Sequence, residues 1–434
     1  MPLSEGWRTG LIGGAWLVAA AWMHRAANMV WGMPALPDLT GPDWEIGPGL
    51  MPRLAVVVPA KDEAESLEAT LETLRQQEYP YLQVVVVDDR STDATGTIAD
   101  SFAERYPERF EALHITDLPE GWLGKTWAMD AGMRQCPEAE YVLFTDADIL
   151  FSPSVLWRAL ALAEVSRADH VVVLPSPLAR TWGEGVLLGF CQLMSLWATR
   201  LWKVADPRAR RDVMGVGAFN LVRRSSFEEL GGWFPQRMVV LEDLTVGRRM
   251  KAAGMRTQVG TAPGLVLVHW ATGVRGIVRV TTKNLFSSVN FRPALLLAGC
   301  MTIVMLCLAP LAGLFWLPTL LPCVLTLLSI FVCYRMWGEV TGIDERNFFA
   351  YPLGAGLLLW AMVRSMVVVM VKRGVLWRGT FYPLAALQRE NGPFRWEKEA
   401  AAMRARQRRE TPSPLRRWVD ARKARRKGKP HAGR

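Results

Sequence analysis

Asp146 and Asp148 close the run Tyr141-Val142-Leu143-Phe144-Thr145-Asp146-Ala147-Asp148. An apolar stretch of strand character ending in two carboxylates one residue apart is one way to hold a divalent cation against a diphosphate. Hard oxygen ligands suit Mg2+ or Mn2+. Such a pair alone is common in surface loops. Its weight here comes from acids that follow other strand-like runs. Pro59-Ala60-Lys61-Asp62-Glu63 follows Leu54 to Val58, and Asp88-Asp89-Arg90-Ser91-Thr92-Asp93 follows Val84 to Val87. Asp93 reads as a helix N-cap. Asp88, at the tip of a four-valine run, is a carboxylate in need of a partner, and a nucleobase N–H is a candidate. Further along, Leu241-Glu242-Asp243-Leu244-Thr245 opens an amphipathic helix reaching Met250. First-turn acids complement the helix dipole, but a carboxylate is also what removing a proton from a hydroxyl requires.

The elements that must position these acids alternate between strand and helix over residues 50–290. Helices are expected over Asp62 to Gln76 and Asp93 to Arg105, and further strands over Ala112 to Ile115, Tyr141 to Thr145 and His170 to Leu174. Near-continuous Val, Ile and Leu runs indicate strands buried on both faces, so the expected fold is α/β with a mainly parallel, Rossmann-like sheet. Such a sheet presents its ligand site at the carboxyl ends of its strands, where the acids fall. Two other motifs fail. Gly121-Trp122-Leu123-Gly124-Lys125-Thr126 is no phosphate-binding P-loop, because its first glycine would fall at Pro119. Gly215-Val216-Gly217-Ala218-Phe219-Asn220 lacks the strand–helix context of a dinucleotide fingerprint and reads as a flexible loop that lets a ligand approach the backbone.

Half of the 434 residues are hydrophobic, too many for an ordinary soluble enzyme. The excess is localised. Leu11 to Met23 reads as an uncleaved anchor, because no clear small-residue cleavage site follows it. Ala294 to Trp337 is long enough for two membrane helices and Phe349 to Val371 for one. The net charge of +10 sits at the end of the chain: from Arg389 onward there are 16 Lys and Arg against 5 Asp and Glu. This basic tail suits an anionic inner-leaflet surface. It follows membrane segments and has little aromatic interleaving, which argues against nucleic acid as its partner. The six cysteines show neither CxxC nor metal-ligand spacing, so no zinc site and no disulfide framework is expected.

The ordered set of motifs resembles family 2 glycosyltransferases of the GT-A type, membrane-bound and inverting. It runs from Val56-Val57-Val58-Pro59-Ala60-Lys61-Asp62-Glu63 through Asp88-Asp89-Arg90-Ser91-Thr92-Asp93, Gly124-Lys125, Asp146-Ala147-Asp148 and Gly217-Ala218-Phe219 to Glu242-Asp243. The resemblance implies a nucleotide-diphosphate sugar donor, a UDP-sugar in the first instance. By it, Pro59, Ala60, Glu63 and Asp88 hold the nucleoside, and Lys125 lies near the nucleotide. Asp146 engages ribose and metal, Asp148 is the surer ligand of Mg2+ or Mn2+, Gly217, Ala218 and Glu242 lie on the acceptor side, and Asp243 deprotonates the acceptor.

Processive members of that family carry QxxRW after the acidic pair, and this chain does not. Its segments Val280-Thr281-Thr282-Lys283-Asn284-Leu285-Phe286 and Val375-Leu376-Trp377-Arg378-Gly379 are similar to the carotenoid and hopene-associated glycosyltransferases. That resemblance implies a single sugar transferred to a membrane lipid. A processive polysaccharide synthase and an inactive transferase-like scaffold are the alternatives. The expected organisation is an N-terminal anchor and linker (1–48), a GT-A domain (49–273), an interfacial amphipathic helix carrying Arg275, Arg279 and Lys283 (274–292), transmembrane helices (293–372) and a basic tail (373–434). Nucleotide sugars are cytoplasmic, so the catalytic domain belongs on the cytoplasmic face of the inner membrane. The count does not close: a third span after the catalytic domain would send the basic tail outward, against the positive-inside tendency.

Overall fold

A computed structural model describes residues 5–390. Seven strands form the central sheet in the order β3-β2-β1-β4-β8-β6-β9. They are β1 (Leu54–Ala60), β2 (Leu82–Asp89), β3 (Phe110–Ile115), β4 (Tyr141–Phe144), β6 (His170–Leu174), β8 (Asn220–Arg223) and β9 (Thr257–Thr261). A small second sheet joins β5 (Ile149–Phe151), β10 (Val266–Val268) and β7 (Ser176–Pro177), and a hairpin joins β11 (Gly374–Trp377) to β12 (Thr380–Pro383). Every residue of β1, β4 and β6 is buried, as the unbroken apolar runs require of strands covered on both faces. The arrangement is the Rossmann-like, mainly parallel sheet that the resemblance implies.

Topology explains where the acids converge. The chain runs outward from β1 to β2 to β3, then crosses back through the helix Gly124–Arg134 to place β4 on the other side of β1. At that reversal a crevice opens beyond the carboxyl ends of β1 and β4. The registers Ala60↔Asp88 and Val57↔Phe144 bring the loops after β1, β2 and β4 to the same edge.

Local structure departs from expectation at several points. The first helix starts at Leu67 rather than Asp62. Asp62 sits at φ 52, and its carboxylate accepts from the Thr92 N–H and hydroxyl, so residues 62–66 form a loop clamped to the loop after β2. Asp93 is not the N-cap expected: Ala94 holds that position of the helix Thr95–Arg105, and Asp93, one residue earlier, accepts from Thr95 N with one oxygen and from Ala64 N with the other. The sequence reading omitted β8, which inserts antiparallel between β4 and β6.

Among the described residues, three helices are long and apolar enough to cross a membrane: Pro293–Gly313, Leu317–Thr341 and Glu345–Lys372. They match the expected two-plus-one count. The N-terminal helix Glu5–Gly32 is not one of them. It packs along Leu317–Thr341, and its Trp22 indole donates to Leu306 O at 2.9 Å. The helix expected over 274–292 spans Gly273–Ser287. Its inner face is covered by Glu345–Lys372, whose Ser365 Oγ accepts from Phe286 N at 3.0 Å. At the other end of that long helix, the Asn347 amide lies against Gly185 of the helix Trp182–Ala198. The expected tail boundary at 373 is corrected. Residues 374–390 fold as the hairpin and the helix Leu384–Glu390, because Val375, Trp377, Tyr382 and Leu387 bury themselves against Leu123, Met238 and Phe286. The remainder of the expected basic tail lies outside the described residues.

Candidate active site

The loop carrying Asp146 and Asp148 is fixed from two sides. Thr70 Oγ1 donates to Ala147 O at 2.9 Å from the helix Leu67–Arg75. Asp146 N donates to Gly217 O at 3.1 Å, and Thr145 Oγ1 to Ala218 O at 2.8 Å. The approach at Gly217 is close: a Cβ there would stand 2.5 Å from Asp146 Oδ2, and one at Gly215 would stand 1.9 Å from Asp243 O. The glycines at 215 and 217 thus admit the chain's own loops as well, while Val216, Gly217 and Ala218 line the cavity beside them.

A partly buried lysine joins the two halves of the site. Lys125 Nζ lies 2.6 Å from Asp146 and 2.6 Å from Glu242. Burial alone would lower its pKa, but the carboxylates of Asp146 and Glu242 hold it above the ordinary lysine value. In turn, burial would raise Asp146, and the Lys125 ammonium outweighs that and keeps it low. Asp243 makes no ion pair among the described residues, and the Lys125 charge offsets only part of what its surroundings do. Burial, then the neighbouring Glu242, push its pKa up to about 6. Its Oδ1 accepts from Leu244 N at 2.7 Å, and its carbonyl accepts from the Asn220 amide, which His170 supports from behind at 2.6 Å. A carboxyl with a pKa near neutrality is suited to take a proton from an alcohol.

Asp148 makes no hydrogen bond or ion pair among the described residues. Burial, followed by the charges of Asp146 and Glu63, pushes its pKa up to about 7. A divalent cation would relieve that crowding. No three His, Cys, Asp or Glu converge as a closed metal cage among the described residues. Mg2+, however, is commonly held by one or two carboxylates, with substrate phosphates completing its shell. Asp146 and Asp148 fit that mode.

The other expected residues divide. Glu63, Lys125, Asp146, Asp148, Gly217, Ala218 and Asp243 line one cavity of about 1020 Å³, and Glu242 reaches it through Lys125. Pro59 and Ala60 are buried within β1 and, with Asp88, stand apart from that cavity. Asp88 is also not the unpartnered carboxylate expected: it accepts from Ser91 N at 3.1 Å and pairs with His114 Nδ1 at 3.0 Å. The register Asp88↔His114 between β2 and β3 makes that contact, and only strand pairing reveals it. Two cations given no role from sequence also belong to the site. Lys283 and Arg378 line the same cavity, and Arg378 pairs with Glu63.

Residues 55–231 match Glycosyl transferase family 2. The probable glycosyltransferase YdaM of Bacillus subtilis is 27% identical over 210 residues, 47% of this chain and 48% of the relative. The 4,4'-diaponeurosporenoate glycosyltransferase of Staphylococcus aureus is 22% identical over 54% of this chain and 60% of its own. The chain therefore spans about half the length of the curated relatives it matches. Among solved structures, the mannosyltransferase PcManGT from Pyrobaculum calidifontis, in complex with GDP-Man and Mn2+, covers 91% of this chain and 97% of its own at 19% identity and a TM-score of 0.45. The Lys125–Asp146 pair and the Asp146–Asp148 loop lie inside the stretch that matches the family 2 glycosyl transferase domain.

Proposed function

We propose that this protein transfers one sugar from a nucleotide-diphosphate sugar to the hydroxyl or carboxyl of a membrane lipid, with inversion at the anomeric carbon. One observation carries the reading: the cavity that holds Glu63, Asp146, Asp148 and Asp243 also has an apolar wall, supplied by three helices. There it is lined by Leu187 and Cys191 of Trp182–Ala198, Ile277 of Gly273–Ser287, and Leu358, Val368 and Val369 of Glu345–Lys372. Acidic residues and an apolar wall in one cavity suit an acceptor with a polar head and a long hydrocarbon tail. The relative named for 4,4'-diaponeurosporenoate supports an isoprenoid, carotenoid or hopanoid-like acceptor.

For a hydroxyl acceptor, Asp243 takes the proton as the oxygen bonds to the anomeric carbon. The bond from that carbon to the phosphate oxygen breaks, and the nucleoside diphosphate leaves with the electron pair. Asp146 and Asp148 would hold Mg2+ or Mn2+, which when bound offsets the negative charge gathering on the leaving diphosphate. Lys125 keeps Asp146 ionised and in place. On this reading the catalytic domain faces the cytoplasm at the inner membrane, held there by the apolar helices, and the basic tail favours the anionic surface.

Mass spectrometry of lipids from cells with and without the gene names acceptor and sugar together. Product from the purified enzyme in lipid should show a single added hexose mass. A ladder of regularly spaced glycoforms would overturn the single-transfer reading in favour of a polysaccharide synthase.

A further inference from the structure

The family-matched stretch brings Glu63, Asp146 and Asp148 to the crevice together with one lysine, Lys125, which Asp146 and, from beyond that stretch, Glu242 already occupy. A nucleoside diphosphate brings more negative charge to this place, and one divalent cation does not balance both. Lys283 and Arg378, both outside the matched stretch, line the same cavity.

Arg378 stands at the tip of the β11–β12 hairpin and pairs with Glu63. It lines the same cavity as Asp146 and Asp148, so the guanidinium shares the cavity of the expected metal corner. Trp377 pairs with Thr380 across a two-residue turn in which Arg378 has φ 48 and Gly379 φ 77. Both central residues of such a turn need positive φ, a place that favours Asn, Asp or Gly over a long side chain. Arginine there is held against its backbone preference. The hairpin is not loose: Tyr382 Oη accepts from Gly124 N at 3.0 Å, at the start of the helix that carries Lys125, and Val375, Trp377 and Tyr382 are buried. Lys283 approaches from the helix Gly273–Ser287, with Nζ 4.2 Å from the Trp377 ring centroid. Burial, partly countered by Glu242 and Asp146, pulls its pKa down to about 8, so it gains from an incoming anion.

We propose that Arg378 and Lys283 form the phosphate clamp of this enzyme, with Arg378 exchanging Glu63 for the donor's diphosphate when the donor binds. An arginine fork suits phosphate oxygens, and the ammonium adds a point charge. The hairpin is thus the strut that presents a donor-binding residue across more than two hundred positions of chain. This rests on the nucleotide-sugar reading above and extends it to residues beyond the family domain.

The test uses the full-length protein in detergent with Mn2+ and, as probes, the diphosphates and monophosphates of uridine, guanosine, cytidine and thymidine. For the base that binds wild type best, Arg378→Gln should weaken the diphosphate about 10- to 100-fold and leave the monophosphate nearly unchanged. Arg378→Lys should recover part of the loss, and Lys283→Gln should act in the same direction. Diphosphate binding by Arg378→Gln as tight as wild type overturns the clamp and leaves the donor reading standing. Equal weakening of monophosphate and diphosphate overturns it too, since that marks collapse of the site. A wild type that binds no diphosphate in the panel removes the donor reading and the clamp with it.

Discussion

Replacing Asp148 by asparagine should stabilise the empty protein while removing its response to metal. Asp148 sits beside Asp146 and Glu63, and burial with those charges raises its pKa from 3.8 to about 7. An aspartate whose folded pKa exceeds its unfolded value binds its proton more tightly when folded. It therefore costs nothing below the unfolded value, costs progressively more as pH rises between the two, and costs the full amount above about 7. At about 1.36 kcal/mol per pH unit the upper bound is about 4 kcal/mol. Solvent in the open cavity and the Arg378 charge screen part of this, so a gain of about 1–3 kcal/mol is expected for Asp148→Asn at pH 8. In a thermal melt of the detergent-solubilised protein that is a rise of a few degrees, shrinking toward zero near pH 4. Adding Mn2+ with a nucleoside diphosphate should raise the wild-type melting temperature and leave the mutant's unmoved. A mutant that melts below wild type at pH 8, or gains as much from Mn2+, would refute the assignment of Asp148 as a crowded metal ligand.

Asp243→Asn should cut transfer by about 10²- to 10⁴-fold while nucleoside diphosphate binding stays near normal. Because the base works ionised and burial beside Glu242 raises its pKa to about 6, wild-type kcat/KM should rise with pH through that value and level off; near-normal turnover in the mutant would exclude the role. Lys125→Ala leaves Asp146 and Glu242 without the cation 2.6 Å from each, a loss of roughly 3 kcal/mol in denaturant unfolding that Glu242→Gln in the same chain should partly restore. A cost below about 1 kcal/mol would mean the bridge contributes no more than a surface pair. Gly215→Ala places a methyl 1.9 Å from Asp243 O; the shift forced on the base should lower turnover about 10- to 100-fold in a folded protein, and an unchanged rate would show that the loop yields freely.

The acids were legible in the sequence because strand identity and the residues at a strand's tip are local properties. Buried strands read as unbroken apolar runs, and a carboxylate just past such a run falls at the sheet edge where the crevice opens. On that basis Asp146 and Asp148 could be nominated, while Glu242-Asp243 stood out as acids in the first turn of a helix; all four share one site with Lys125. What the sequence left undecided depends on pairings between distant segments. The β2–β3 register supplies Asp88 with His114, and the insertion of β8 sets Asn220 beneath the Asp243 carbonyl. Lys125 appeared only as a residue near the nucleotide, whereas the fold makes it the bridge between two acidic corners. Trp377-Arg378-Gly379 offered a pattern without a place. Only docking of its hairpin on Gly124, through the Tyr382 hydroxyl, carries Arg378 to Glu63. Sequence determined which chemical groups this protein owns and which strand ends bear them. Tertiary structure decided which charges neutralise one another, because an ion pair depends on a few ångströms of separation that neighbouring residues in the chain do not encode.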